Sequence, residues 1–235
     1  MDTMIQAKSV TKALDKAFPS RVVILQQAEE ELKFESIFAI TDPKAAGAAF
    51  KMSQFFTQFV NPKDLTLNIE EAVNAIKESK IYSIIETLNT TKEQTNNSVS
   101  AMVEQLTHLF NDVLDIVMNP KNLAAVTAAI QDAFVNLAPQ EGDAWIFWKK
   151  EEAHKTVYQY NILFAVQNLE TGLFLYGLPM SFEITADIDK EQVLFIKLKD
   201  KVSYKVNVKS LKVITFVEEQ VTEHILKNLL ANGAY

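Results

Sequence analysis

The spacing of the apolar residues divides the chain into a helical first part and a strand-rich second part. A β-branched run at 22–25 predicts one short buried strand. Asp42 and Pro43 then resemble an N-cap and the first residue of a helix. The apolar stripe of this helix recurs at steps of three and four and consists of Ala45, Ala48, Met52, Phe55, Phe56 and Phe59. Asn68 and Glu71 resemble a capping box at the start of a second helix. Its stripe consists of Ile69, Val73 and Ile76.

A predicted strand and a predicted helical hairpin follow. Residues 81–88 mix β-branched and polar side chains, and the turn-prone Asn89-Thr90-Thr91 predicts that this strand ends there. The apolar face of the next helix consists of Val99, Met102, Val103, Leu106, Leu109, Phe110, Val113 and Val117. Asn119-Pro120 ends that helix and begins another, whose stripe is Leu123, Val126, Ile130, Phe134 and Leu137. Because the connection is so short, we expect the two helices to lie antiparallel.

From Asp143 onward the apolar period changes to two, which is typical of strands. Between Val157 and Gln167 one face carries Tyr158, Tyr160, Ile162, Phe164 and Val166, and the other carries Gln159, Asn161 and Gln167. The same alternation recurs around Phe182 and Ile184 and from Val202 to Lys209. These strands are about ten residues long, the length that a tilted strand needs to cross a bilayer. Half-buried antiparallel strands packed under helices show the same alternation, so the pattern alone does not indicate a pore.

Composition and charge narrow the function classes. The chain has 235 residues, of which 48% are hydrophobic, and its 6 prolines and 5 glycines form no linker, so we expect a single domain. The net charge of -7 disfavours nucleic acid as a partner, and the lack of cysteine excludes disulfides and thiolate metal sites. No apolar run approaches the ~20 residues of a membrane-spanning helix, and the charged N-terminus does not resemble a secretory signal. We therefore expect a protein made in soluble form without a signal peptide.

A search for catalytic or metal-binding groups yields no site. His108, His154 and His224 are far apart, and the isolated glycines form no phosphate-binding loop. The Ser-x-x-Lys match at Ser9 and Lys12 has no partner motif, so chance explains it best. We expect no enzymatic activity, no cofactor and no metal.

One local charge bias stands out in this acidic chain. Residues 197–212 are basic, with lysines at Lys197, Lys199, Lys201, Lys205, Lys209 and Lys212 and only Asp200 opposing them. Lysines on a strand often protect a sheet edge against aggregation. They also bind lipid phosphates, and the sequence leaves both interpretations open.

Specific strings in the second half resemble one family, the cytolytic delta-endotoxins. The strings are DAWIFW at 143–148, YNILFAVQN at 160–168 with Thr171-Gly172, KEQVLF at 190–195 and SYKVNVKSLK at 203–212. The segments TNNSVSAMV at 95–103, TAAI at 127–130 and FVNL at 134–137 resemble the same family. The resemblance is collinear from about Asn89 to Val213 and looser from Arg21 to Lys80.

The resemblance implies a fold and an activity. The implied fold is a single three-layer α/β (α+β) domain, in which a central, mostly antiparallel sheet is flanked by two helical hairpins, as in volvatoxin-like cytolysins. The resemblance also implies that the protein, like members of this family, is made as a soluble protoxin and trimmed by proteases. Family members bind membrane phospholipid without a protein receptor, form homo-oligomers on the membrane and permeabilise target cells from outside. A non-inserting lipid-binding module with the same fold is the alternative.

The resemblance and the strand pattern together define boundaries and candidate residues. We expect a polar leader at 1–20 that is a candidate propeptide, the cytolysin domain at 21–218 and a helical tail at 219–235. The membrane-inserting candidates are Tyr158, Tyr160, Ile162, Phe164, Val166, Phe182, Ile184, Val193, Phe195, Tyr204, Val206 and Val208. The candidates for the lipid interface are Trp145, Trp148, Lys197, Lys199, Lys205 and Lys209.

Overall fold

A central sheet with helices on both faces organises the chain. The computed structural model describes residues 32–40, 43–114, 120–168 and 171–217. The strands are β1 (Glu35–Ala39), β2 (Ser83–Ser98), β3 (Ile146–Glu152), β4 (Lys155–Gln167), β5 (Phe174–Ala186) and β6 (Lys201–Phe216). The helices are α1 (Pro43–Thr57), α2 (Ile69–Ser79), α3 (Val99–Leu114), α4 (Pro120–Asp132) and α5 (Lys190–Leu194), and a 3₁₀ turn covers Ala138–Gln140. The leader at 1–20, the predicted strand at 22–25 and the tail at 219–235 lie outside the described residues.

The sheet is mostly antiparallel, as predicted. Its strand order is β1-β4-β5-β6-β2. β3 and β1 pair with the same edge of β4, β3 with the first part of that strand and β1 with the last part. Only the β1–β4 pair is parallel among the described strands. This confirms the expected three-layer α/β class with helices on both sides of one sheet.

Each face of the sheet carries its own apolar core. On the face that we call the α3–α4 face, buried residues of α3 and α4 pack on β4, β5 and β6. On the opposite face, which we call the α1–α2 face, α1 and α2 pack on β1 and on parts of β4, β5 and β6. Both helical layers follow the stripes read from the sequence, because most of the predicted apolar positions turn inward. The predicted N-cap Asp42 and the stripe residue Val117 lie outside the described residues.

Local signals explain most helix boundaries. Asn68 is the N-cap of α2, since its Oδ1 accepts the Glu71 N–H at 3.2 Å. The predicted capping box forms only in part, because the Glu71 carboxylate accepts from Asn68 Nδ2 at 2.9 Å and the Asn68 backbone N–H donates to the Phe59 carbonyl at 2.9 Å. The left-handed Lys80 ends α2. Pro43 and Pro120 are the first residues of α1 and α4, where proline lacks only an N–H that has no helical partner.

The predicted end of the strand at Asn89-Thr90-Thr91 is wrong. β2 runs on to Ser98, and these three residues pair in register with Asn207, Val208 and Lys209 of β6. The Thr91 hydroxyl also donates to Oδ1 of Asn207 at 2.9 Å. A long partner strand therefore overrides the local turn preference. The irregularity comes later, at a register shift between Gln94 and Asn97 that contains the left-handed Asn96.

The central strands are more deeply buried than an alternating pattern suggests. Gln159 and Asn161, on the polar face of β4, are only 3% and 0% exposed. The Asn161 Nδ2 donates to the Leu65 carbonyl at 2.9 Å. Half-burial, the simplest interpretation of the alternation, therefore does not hold for β4.

Gly177 of β5 lies so close to α1 that it leaves no room for a side chain. A Cβ at this position would overlap Sδ of Met52 in α1 and lie 2.9 Å from its Cε, and Met52 is fully buried. We expect Gly177→Ala to lower the free energy of unfolding by about 1–3 kcal/mol through overpacking. The matched control is Gly47→Ala in α1, where a Cβ meets nothing within 4 Å. It should raise stability by roughly 0.5–1 kcal/mol. Urea unfolding measures the stability of both variants, and equal changes in the free energy of unfolding would contradict this packing.

Candidate functional site

The α3–α4 face gathers most of the membrane-inserting candidates. Those on β4 are Tyr158, Tyr160, Ile162, Phe164 and Val166. Those on β5 and β6 are Phe182, Ile184, Tyr204, Val206 and Val208. All of them are buried beneath the helices. The side chains that alternate along the sequence therefore form one continuous apolar surface.

Aromatic side chains hold α3 and α4 against this surface. The ring of Phe110 in α3 meets Phe182 edge-to-face at 5.9 Å, and the ring of Phe134, just after α4, meets Tyr204 edge-to-face at 5.3 Å. Edge-to-face pairs contribute about 0.5–1.5 kcal/mol beyond their buried area. These contacts are apolar and have few directional constraints, so another apolar environment is able to replace them.

A small number of polar ties cross the same interface. The Tyr158 hydroxyl donates to the Ala133 carbonyl at 2.9 Å, and the Lys212 ammonium donates to the Val113 carbonyl at 2.8 Å. Lys212 is only 2% exposed, so it does not belong to an accessible basic surface. The Ala133 carbonyl lies just after the last residue of α4, where a helix leaves carbonyls without intrahelical donors, so Tyr158 satisfies one of them.

Gln140 joins the end of the helical pair to the sheet. Its Oε1 lies 2.6 Å from the Tyr160 hydroxyl and accepts the Trp145 indole N–H at 3.3 Å. Its Nε2 donates to the carbonyls of Asn136 and Asp132 at 3.1 and 3.3 Å. One amide side chain therefore connects the C-terminal end of α4 with β4 and with the start of β3.

Glu35 is an important residue that the sequence interpretation missed. It lies on β1, is 5% exposed, and its Oε2 is 2.8 Å from the Tyr160 hydroxyl. Burial raises its pKa to about 8, the hydrogen bond with Tyr160 opposes this rise, and the charges of Asp132 and Asp143 add to it. Its signal in the sequence is a single acid in an otherwise apolar and small strand, Glu35–Ala39.

The opposite face of the same strands has two different halves. Near α1 and α2 it is apolar, with Leu163, Ala165, Leu175, Leu211 and Val213 in the core. At the other end it is polar. There Gln159 Nε2 donates to the Ser181 hydroxyl at 2.6 Å, and Asn207 Nδ2 donates to Glu183 at 3.0 Å.

The charged groups of this polar half form a small network. The Lys149 ammonium donates to the Glu183 carboxylate at 2.7 Å, and this bond is the largest of the interactions that lower the pKa of Glu183. The exposed Lys205 pairs with Glu93 at 3.1 Å, and Lys209 also lowers the pKa of Glu183. β6 lies between β5 and β2, so edge protection does not explain these lysines.

Two membrane-inserting candidates do not lie on a long strand. Val193 is buried in α5, and Phe195 is the C-cap of that helix with 72% of its surface exposed. Asp189 caps the other end of α5, which explains why this segment is helical: its Oδ1 accepts the Gln192 N–H at 3.0 Å. Val193 and Phe195 therefore lie apart from the strand face that carries the other candidates.

The loop after Phe195 touches the first turn of α3. The backbone N–H groups of Val99 and Ser100 donate to the carbonyls of Asp200 and Leu198 at 2.9 and 3.0 Å. The interface candidates Lys197 and Lys199 are exposed in this loop. A displacement of the loop would therefore act directly on the start of α3.

The tryptophan candidates are half-buried beside β4. The rings of Trp148 and Tyr158 lie 5.1 Å apart, and the Lys190 ammonium stands 4.7 Å from the Trp148 ring centroid. Lys190 also pairs with Glu141 at 2.7 Å and Glu151 at 2.9 Å. The two indoles thus contribute to packing and polar contacts in this state.

No group of three or more His, Asp or Glu side chains that could hold a metal occurs within 32–40, 43–114, 120–168 and 171–217. No helix in those ranges is both long and apolar enough to cross a membrane.

Comparisons with known proteins agree with this architecture. The family model described as Bacillus thuringiensis toxin matches residues 13–232. A type-2Aa cytolytic delta-endotoxin from B. thuringiensis subsp. kyushuensis is 34% identical over 198 residues, which are 83% of this chain and 76% of that protein. A type-1Aa cytolytic delta-endotoxin from subsp. morrisoni is 45% identical over 119 residues, covering 51% and 48% of the two chains.

Solved structures show the same relationship. A delta-endotoxin structure superposes with a TM-score of 0.79 at 33% identity, covering 86% of this chain and 89% of that one. The activated Cyt2Ba monomer from B. thuringiensis subsp. israelensis gives a TM-score of 0.75 at 34% identity, covering 80% and 100%. Sequence and fold therefore lead to one conclusion: this chain belongs to the cytolytic delta-endotoxin family of toxins.

Proposed function

We propose that this toxin permeabilises membranes by exposing the α3–α4 face of its sheet to lipid. In this proposal the water-soluble form binds phospholipid without a protein receptor, and α3 and α4 leave the sheet. Copies of the chain then assemble on the membrane, and β4, β5 and β6 insert. These strands are 13, 13 and 16 residues long, whereas a tilted strand needs about 9–11 residues to cross a bilayer.

The amphipathic half of the sheet carries this proposal. Where β4 and β6 begin and β5 ends, one face is apolar beneath α3 and α4, and the other face is polar. Removal of α3 and α4 would leave strands with an apolar side for lipid and a polar side for water. Because unpaired backbone groups are too costly in hydrocarbon, such strands must stay paired with one another.

The energetics explain why conversion would wait for a bilayer. Exposing about ten large apolar side chains to water costs on the order of 15–30 kcal/mol. This exceeds the ~5–15 kcal/mol that stabilises a typical domain. Lipid removes most of that cost, since it replaces the contacts that α3 and α4 supply.

The loop after α5 is the proposed first contact with the membrane. Phe195 is an exposed aromatic residue, and in the segment 195–201 three lysines oppose one aspartate. Lysines near a lipid surface contribute about 1 kcal/mol each when the lipid is anionic. Trp145, Trp148, Lys205 and Lys209 are proposed to reach the interface only after the helices move.

Dye release tests the proposed function most directly. We expect the protein to release dye from protein-free phospholipid vesicles, measured before and after treatment with trypsin. Protein that floats reversibly with vesicles but releases no dye under either condition would contradict permeabilisation and favour the non-inserting lipid-binding alternative.

Two neighbouring residues of β5 test which faces meet lipid and water. Ile184 lies on the α3–α4 face and Thr185 on the other. Because the chain has no native cysteine, Ile184→Cys and Thr185→Cys each carry a single thiol. With vesicles, we expect a charged, water-soluble thiol reagent to label position 185 and a lipid-soluble maleimide to label position 184. Equal labelling of the two positions by both reagents would exclude this orientation.

Phe195 is expected to contribute directly to vesicle binding. Phe195→Ala should weaken binding to anionic vesicles roughly ten- to hundredfold, because an aromatic side chain of this size contributes about 1.5–3 kcal/mol when it is buried. Ile81→Ala is the control, since Ile81 is also exposed, at 60%, but lies outside the loop. Flotation assays measure both variants. An equal loss of vesicle binding in the two variants would contradict a specific contact between the loop and the membrane.

A further inference from the structure

The hydrogens around Tyr160 do not balance unless Glu35 carries a proton. The Tyr160 hydroxyl lies 2.8 Å from Glu35 Oε2 and 2.6 Å from Gln140 Oε1. The Gln140 oxygen only accepts, and its orientation is determined because its Nε2 donates to two carbonyls. Tyr160 has one hydrogen, so both short contacts are hydrogen bonds only if Glu35 supplies the second hydrogen.

With Glu35 protonated, the bonds form a directed chain. The carboxyl donates to the Tyr160 oxygen, and the Tyr160 hydroxyl donates to Gln140, which is bonded to the end of α4. Ionisation of Glu35 removes the first hydrogen, and the Tyr160 hydroxyl then turns toward the carboxylate. The oxygens of Tyr160 and Gln140 would face each other at 2.6 Å without a hydrogen between them, so this contact has to open.

The surroundings of Glu35 oppose its ionisation. The charged groups that act on it are Asp132 at the end of α4 and Asp143 ahead of β3, and Tyr160 faces it from β4. Burial is the largest influence and the negative charges of the two aspartates add to it, so the pKa of Glu35 reaches about 8 although the hydrogen bond with Tyr160 lowers it. The proton of Glu35 is therefore lost in weakly alkaline solution rather than at the usual acidic pH of a carboxylic acid.

We propose that Glu35, Tyr160 and Gln140 form a proton-controlled latch that holds the end of α4 on the sheet in neutral solution and releases it in alkaline solution. The latch regulates the helix release on which the proposed function depends, so it rests on that function. Gln140 and Tyr160 are positioning residues in it, and Glu35 is the group that titrates.

The latch also has a consequence without any membrane. The unfolded chain releases this proton near the ordinary value of 4.5, whereas the folded chain keeps it to about 8. The folded state therefore binds the extra proton in that window, and its stability falls as pH rises from 4.5 to 8. Above this window the contribution of Glu35 no longer changes.

Glu35→Gln tests the latch because it is isosteric, always neutral and still able to donate to Tyr160. We expect wild-type release from phosphatidylcholine vesicles to become roughly three- to tenfold faster between about pH 7 and 9, the effect of losing one hydrogen-bonded tie. The Glu35→Gln profile should stay flat. Glu78→Gln, at an exposed site in α2, is the control and should follow the wild type.

Hydrogen exchange supplies the matching readout in vesicle-free solution. At pH 9 the amides of residues 120–140 should exchange faster in wild-type protein than in Glu35→Gln, and at pH 6 the two should agree. If Glu35→Gln does not fold, Gln140→Leu replaces it. That variant should release dye quickly already at pH 6 and gain nothing at pH 9, because the tie to α4 is absent.

The outcomes separate the latch from the proposed function. A Glu35→Gln profile that rises like the wild type, or equal exchange at pH 9, overturns the latch while permeabilisation stands. Faster wild-type exchange at pH 9 without dye release from any protein supports the latch and overturns the proposed function instead.

Discussion

The whole structure depends on keeping the apolar α3–α4 face of β4, β5 and β6 out of water. Its side chains are large and contiguous, and α3 and α4 are the elements that cover them. The rings of Phe110 and Phe134 contact the sheet edge-to-face, whereas few hydrogen bonds cross the interface. The contact of α3 and α4 with the sheet is therefore stabilised mainly by the hydrophobic effect, which vanishes when water is replaced by hydrocarbon. Water therefore stabilises this arrangement, and the proposed conversion relies on its removal.

The polar half of the α1–α2 face is independent of that cover. The bonds among Lys149, Glu183 and Asn207 join β3, β5 and β6, and none of these residues lies on a helix. Gln159 and Ser181 are paired in the same way across β4 and β5. Loss of α3 and α4 would therefore leave these five side chains with their partners. In this part of the sheet one face is apolar, and the side chains of the other face are hydrogen-bonded to one another.

The sequence predicts the features that depend on periodicity and misses those that depend on a distant partner. Helical stripes and strand alternation identified α1, α3, α4 and the apolar face, since each follows from local spacing. The continuation of β2 past Asn89 requires β6 as its neighbour, and the helical state of Val193 depends on the cap at Asp189. The sequence interpretation assigned Glu35 to no element, whereas the fold places it on β1 and buries it beside Tyr160. The pairing of Glu35 with Tyr160 joins residues 125 apart in the chain, so local spacing does not predict it.

The two helical layers are attached by different kinds of contact, and this difference favours α3 and α4 as the layer that moves. Met52 of α1 packs into the space that the absent side chain of Gly177 leaves, and the buried hydroxyls of Ser36 and Ser53 lie 2.7 Å apart. Both contacts depend on shape or direction, so lipid tails cannot reproduce them. The α3–α4 layer instead rests on an apolar surface that lipid is able to match, and its specific ties lie near the helix ends, at Tyr158, Lys212 and Gln140. The barrier to opening is therefore concentrated in these few ties, and a change in any one of them acts on the whole layer.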